Sequence, residues 1–229
     1  MLLSLKKRDR QFSEKEMTTS FLKSMSSRKG LPGMGTFWKI FQEVPCLRGR
    51  PDIIGLKKRT RRPIRQKITP LGLCDATILA LLHHNAPHTI DHLVAHAGFS
   101  KKSVKKSLSQ LIGEDHIIKT QTGSYLSNPR HCFDELEAWA FELKIKDIKR
   151  AIFQAQQYCL FAQCVFIVMP PNYRERILRF EPILDSWGIG AAIFDPFKRC
   201  FEIIKDAKDT APLSKQHEIY AISCAINTA

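Results

Sequence analysis

Apolar positions along the chain change their period several times. "SEKEMTTSFLKSM" (13–25) has helical spacing, with Ser13 as N-cap and Glu16 at the capping-box position. "TFWKIFQEV" (36–44) is rich in aromatic residues and suits a strand, and "PDIIGLK" (51–57) suits a second, short one. From residue 72 to 128 the pattern becomes mostly helical. Leu73, Ile78, Leu79, Leu81 and Leu82 mark one helix, which Asn85-Ala86-Pro87 breaks. Ile90, Leu93, Val94 and Ala97 mark a second, ended by Gly98. Ser100 caps a third, whose core face is Val104, Leu108, Leu111 and Ile112. "HIIKTQTGSYLSN" then alternates around Thr122-Gly123, a hairpin signal. Beyond it, "AWAFELKIK" (138–146) predicts a strand, "DIKRAIFQAQQYCLFA" (147–162) a helix, and "CVFIVMP" (164–170) a buried central strand. "NYRERILRFEPILDSWG" predicts a helix interrupted at Pro182. "IGAAIFD" and "RCFEIIKDA" read as two closing strands, and "SKQHEIYAISCAIN" as a last helix.

Three short helices followed by a hairpin, with a Gly-containing turn before the third helix, form a helix-turn-helix with a wing. This segment resembles a winged-helix domain. Its third helix exposes Lys101, Lys102, Ser103, Lys105, Lys106, Ser109 and Gln110, which are donors to phosphates and base edges. Winged helices also serve as protein–protein modules, so DNA contact is an expectation. His84, His88, His92 and His96 recur every four residues, yet no Cys or carboxylate completes a tetrahedral set. Histidines on a polar helix face are the simpler reading.

The flanks read as one α/β unit into which the winged helix is inserted. The expected fold is a mixed central sheet flanked by helices, split as 1–66 and 131–229 around an insert at 67–130. A hairpin brings the two ends of an insert close together, so insertion at its tip is cheap. It would also hang a DNA reader over the residues that the strands carry. In "FELKI", Phe141, Leu143 and Ile145 point one way and Glu142 and Lys144 the other. The apolar side is expected to pack on the following helix, leaving Glu142 and Lys144 in a polar site shared with Asp52. Two neighbouring carboxylates repel unless a cation joins them, and oxygen ligands suit Mg2+ or Mn2+.

"RPDIIG" followed by "FELKIK" resembles the PD-(D/E)xK nuclease superfamily, the restriction-endonuclease-like fold, through Pro51-Asp52 and Glu142-x-Lys144. The resemblance implies that Asp52 and Glu142 bind Mg2+ or Mn2+, with the Leu143 carbonyl as a third ligand and Lys144 as the catalytic lysine. Gln154 and Tyr158 in "QAQQY" look like the QxxxY element of RecB-like members, facing the site or the DNA backbone. Some members carry an acidic residue on the first helix, which Glu14 or Glu16 would match. Asp/Glu-x-Lys occurs three times in the chain, also at Asp147-x-Lys149 and Asp206-x-Lys208. Only Glu142-x-Lys144 combines an alternating strand with an earlier Asp-bearing strand and a later QxxxY helix. The gap between Asp52 and Glu142 is far longer than the usual hairpin of the superfamily.

Composition narrows the partners. The 229 residues carry 36 Lys+Arg against 22 Asp+Glu, a formal charge of +14, which favours a polyanion. Nine of these cations fall in residues 48–67; Lys57, Lys58, Arg59, Arg61 and Arg62 are expected to grip DNA, double-stranded in the simplest case. No apolar run is long enough to span a bilayer. The N-terminal apolar run is too short for a signal peptide. Seven Cys without a CxxC pair read as reduced thiols of a cytoplasmic protein. The expected activity is that of a Mg2+-dependent deoxyribonuclease cutting within DNA. The alternatives are a non-catalytic winged-helix regulator or assembly factor, and an RNA- or structure-specific nuclease. A homodimer and a separate targeting protein remain open as partners. The distance between Asp52 and Glu142 decides whether there is a site at all.

Overall fold

Six strands that are far apart in sequence form one mixed sheet. The computed structural model describes residues 12–27, 30–60, 69–129 and 131–228. The first helix is α1 (Glu14–Met25), opened by the expected Ser13–Glu16 capping box. Two strands follow, β1 (Lys39–Gln42) and β2 (Ile53–Lys58), and then the helices α2 (Leu73–Leu81), α3 (Ile90–Ala97) and α4 (Lys101–Gly113). A small separate hairpin, β3 (Ile117–Lys119) with β4 (Tyr125–Ser127), comes next. The chain then returns to the large sheet as β5 (Leu136–Leu143), α5 (Ile148–Tyr158) and β6 (Cys164–Met169). It ends with α6 (Arg174–Leu178), α7 (Glu181–Trp187), β7 (Gly190–Asp195), β8 (Cys200–Lys205) and α8 (Lys215–Asn227).

The sheet order is β1-β2-β5-β6-β7-β8. The three central strands β5, β6 and β7 run parallel, β2 and β8 flank them antiparallel, and β1 pairs antiparallel with β2 at the edge. β2 and β5 are neighbours although three helices and a hairpin separate them in sequence. The parallel strands are buried on both sides, as their near-continuous apolar runs require.

Alternation along the strands divides two cores. On one side Phe141, Leu143, Phe166, Val168 and Phe194 pack with Met17 and Phe21 of α1. On the other, Ala138, Ala140, Val165 and Ile167 pack with α5, α7 and α8. That second core continues through Ile78, Leu82, Leu93, Val104 and Leu111, so α2–α4 share it with the sheet. Ser223 of α8 fastens this junction, accepting from Leu71 N at 2.8 Å and donating to Thr69 O at 3.2 Å.

Several elements differ from the pattern reading. The expected strand 138–146 starts earlier and stops at Leu143. Lys144 N still reaches Val168 O at 3.1 Å, after which the chain turns out of the sheet and Asp147 adopts a left-handed φ of 63°. The helix expected over 147–162 ends at Tyr158. The single interrupted helix after β6 is a 3-10 turn and two short helices, with Pro182 in the first turn of the second. The apolar side of "FELKI" packs on α1, not on the helix that follows it. α5 instead covers the face that carries Glu142, because its buried residues Ile152, Ala155 and Tyr158 belong to the other core.

Candidate active site

The β2–β5 register brings the site together. Ile53 pairs with Phe141, so the next residues outward, Asp52 and Glu142, meet at the end of the two strands. Asp52 Oδ2 accepts a hydrogen bond from Leu143 N at 2.7 Å. Lys144 Nζ lies 2.7 Å from Glu142 Oε1 and 3.9 Å from Asp52 Oδ2, so one ammonium spans both carboxylates. The same ammonium donates to the Leu143 carbonyl at 3.3 Å. Residues about ninety apart in sequence therefore share one polar cluster.

Glu142 is buried, and Tyr158 of α5 donates its hydroxyl to Oε2 at 2.6 Å. Burial pushes the Glu142 carboxyl up to about 7, and the nearby Asp52 charge adds to this against the opposing pull of Lys144 and Tyr158. Burial also raises Asp52, although the Leu143 N–H and Lys144 oppose it. Burial disfavours the Lys144 ammonium, but Glu142 and Asp52 outweigh that and hold its pKa above the ordinary value. Tyr158 is raised by burial and then by the Glu142 charge beside it. Gly49, at φ +82°, packs against the Tyr158 ring so closely that a Cβ there would lie 2.9 Å from Cε1.

Of the two acids on α1, Glu14 approaches the cluster, 3.7 Å from Lys144 Nζ. Glu16 closes the Ser13 capping box instead. That difference was readable in sequence, since a glutamate three residues after a serine cap has its side chain committed to the cap. Gln154 is half-buried, and its Oε1 is a buried atom without a hydrogen-bond partner.

The donors present are hard oxygens: two carboxylates with raised pKa values and a main-chain carbonyl. They fit Mg2+ or Mn2+ by chemistry, since both carboxylates gain by having a cation between them. Among the described residues, no three His, Cys, Asp or Glu side chains form a group able to hold a metal ion. The ligand set implied by the sequence has two such side chains and the Leu143 carbonyl.

The expected DNA-binding residues divide. Lys102, Lys105 and Lys106 are exposed on α4; Lys101 pairs with Asp91 at 2.8 Å, and Ser103 takes part in the Ser100 cap. Lys57 is not an open phosphate donor: its ammonium sits 3.2 Å from the centre of the Trp139 ring, and burial lowers its pKa. Lys58 lies over Trp38. Arg59 donates to Leu136 O at 3.2 Å and approaches Glu218 at 3.7 Å. Arg61 and Arg62 lie outside the described residues. Lys57 and Lys58 pair with Glu137 and Leu136, at the start of β5, so they leave the sheet at the edge opposite Glu142. At about 3.3 Å per residue that separation is roughly 20 Å. The chain segment between β2 and β5 therefore departs from the far edge of the sheet, not from above the carboxylates.

No protein-family model matches this chain, and no curated protein and no solved structure matches it either.

Proposed function

We propose that the chain is a metal-dependent nuclease of the PD-(D/E)xK kind, a Mg2+- or Mn2+-dependent deoxyribonuclease that hydrolyses phosphodiester bonds within DNA. One observation carries this reading: Asp52, Glu142 and Lys144 meet at the end of two paired strands, with the Leu143 carbonyl beside them. Asp52, Glu142 and that carbonyl would hold the ion, which when bound lowers the pKa of a water and neutralises charge on the phosphate. The Leu143 N–H fixes Asp52, and Tyr158 fixes Glu142, so both carboxylates are oriented before any ligand arrives. Lys144 then offers its ammonium to the attacking water or to the phosphate oxygens that gain charge. Within this proposal, α2–α4 with the β3–β4 hairpin act as a winged helix that holds the duplex through the exposed lysines of α4.

Cleavage of plasmid and linear DNA tests the reading. Asp52→Ala, Glu142→Ala and Lys144→Ala should each lower the Mg2+- or Mn2+-dependent rate by at least about 100-fold, and chelation should abolish it. Equal cleavage by wild type and all three variants would remove these residues from the chemistry.

A second reading is favoured by a specific contact. Lys144 already lies between both carboxylates, 2.7 Å from Glu142 and 3.9 Å from Asp52, as in a structural ion pair of a non-catalytic DNA-binding protein. DNA binding that ignores metal, with no cleavage of DNA, RNA or branched substrates, would select it.

A further inference from the structure

β5 and β6 run parallel with Leu143 paired to Val168, so both strands leave the sheet at the edge where Asp52, Glu142 and Lys144 lie. Ligands of parallel sheets gather outside the carboxyl ends of the strands. Past β5, Lys149 and Arg150 are exposed in the first turn of α5. Past β6, a Pro171–Tyr173 turn leads into α6, on which Arg176 is exposed. Ile148 of α5 and Ile177 of α6 are buried in the same core, so both segments lie on one face of the sheet. The Arg176 guanidinium lies over the Tyr173 ring, 4.9 Å from its centre, and the residue stays open to solvent. Among the described residues, none of these three cations has a carboxylate within ion-pair distance, whereas the neighbouring Arg174 is held by Glu202.

We propose that Lys149, Arg150 and Arg176 form a backbone clamp for a nucleic-acid strand at the carboxylate end of the sheet, separate from the α4 surface. The proposal rests on the nuclease reading for its location, and its ligand is the phosphodiester backbone. The lysines of α4 would hold the duplex at one place. The clamp would neutralise the phosphates on either side of the reactive one, where the Asp52 and Glu142 carboxylates would otherwise repel the strand. Such contacts are blind to sequence and sensitive to salt.

The test is fluorescence anisotropy of the full chain with labelled DNA and RNA duplexes of equal length, over a range of salt, beside metal-dependent cleavage. The variants are Lys149→Ala/Arg150→Ala/Arg176→Ala and, independently, Lys102→Ala/Lys105→Ala/Lys106→Ala. All six side chains are exposed, and circular dichroism checks that each variant is folded. The clamp variant should bind at least about tenfold more weakly, with a salt slope shallower by about 2 to 3, near 0.9 per lost phosphate contact. The α4 variant should lose its own increment, and the two losses should combine. The duplex that shows the clamp effect identifies the nucleic acid. Wild-type affinity and slope in the clamp variant, or no binding by wild type, would overturn the clamp. If wild type cleaves in an Asp52-dependent way while the clamp variant matches it throughout, the nuclease reading stands and the clamp falls. If the clamp variant loses binding while wild type cleaves nothing, the clamp stands and the nuclease reading falls.

Discussion

Tyr158 donates its hydroxyl proton to a buried carboxylate that has one other close partner, the Lys144 ammonium. Removing the hydroxyl leaves the buried Glu142 Oε2 without its donor. Tyr158→Phe should therefore destabilise the metal-free protein by about 1–3 kcal/mol, read from urea denaturation in chelator. Lys144→Met removes the shared cation from two carboxylates and should cost about 3 kcal/mol under the same conditions. Mg2+ or Mn2+ should restore much of that loss and raise the Tm of Lys144→Met more than that of wild type. An equal shift in both proteins would mean that no divalent ion enters between the carboxylates. That Asp52, Glu142 and Lys144 would meet was legible, because an Asp-bearing strand precedes the alternating Glu-x-Lys strand with a Gln-Tyr helix behind it. Their protonation was not, since it comes from burial beneath α5, and the strand alternation alone assigned that helix to the wrong face of the sheet.

At the scale of elements, the caps were the most legible features. Ser13 and Ser100 begin their helices through bonds to backbone N–H groups close in sequence. Long-range ties were hidden. Asp75 accepts from Gly72 N at 2.8 Å and also from Ser107 of α4, so one carboxylate caps α2 and locks it to α4. Asp75→Ala should cost about 2–4 kcal/mol, with hydrogen exchange rising first in α2 and α4. The buried His116, just before β3, should give these elements a pH dependence. Burial lowers its pKa below the ordinary 6.5, with the nearby Glu114 opposing. The unfolded chain therefore binds this proton at higher pH than the folded one does. The His116 contribution is complete above about pH 6.5 and is lost as pH falls from there toward the lowered folded value. Thermal melts between neutral pH and pH 5 should show a falling Tm, and His116→Phe should flatten that dependence. Identical slopes in the two proteins would exclude His116 as the source.

On the scale of the whole molecule, the order of the segments was legible, and so was the pairing of β2 with β5 across the intervening helices. The position of those helices was not. A hairpin carries its connection at one end and its open ends at the other, and Asp52 lies at the open end. Lys57 and Lys58 accordingly sit at the opposite end of the strands from the carboxylates, and Lys57 is committed to an aromatic ring. The depth of the attachment was equally hidden, because α8, last in sequence, supplies the contact between α2 and the rest of the core. Excising residues 69–128 would strip α8 of its packing against α2 and of the Ser223 ties to Leu71 and Thr69. A chain with those residues replaced by a short Gly/Ser linker should lose cooperative unfolding or aggregate. A soluble product with a sharp melting transition would show instead that the sheet folds without them.

Gly49 carries a consequence for how this chain tolerates change. It makes no bond to Asp52, Glu142 or Lys144, yet its missing Cβ leaves the room in which the Tyr158 ring lies. In a library of all single substitutions scored by the survival of cells that need the proposed nuclease activity, position 49 would be as barren as the carboxylates themselves. The exposed residues beside it, such as Arg48 and Arg50, would accept many replacements. An absent atom would leave the same genetic signature as a catalytic group.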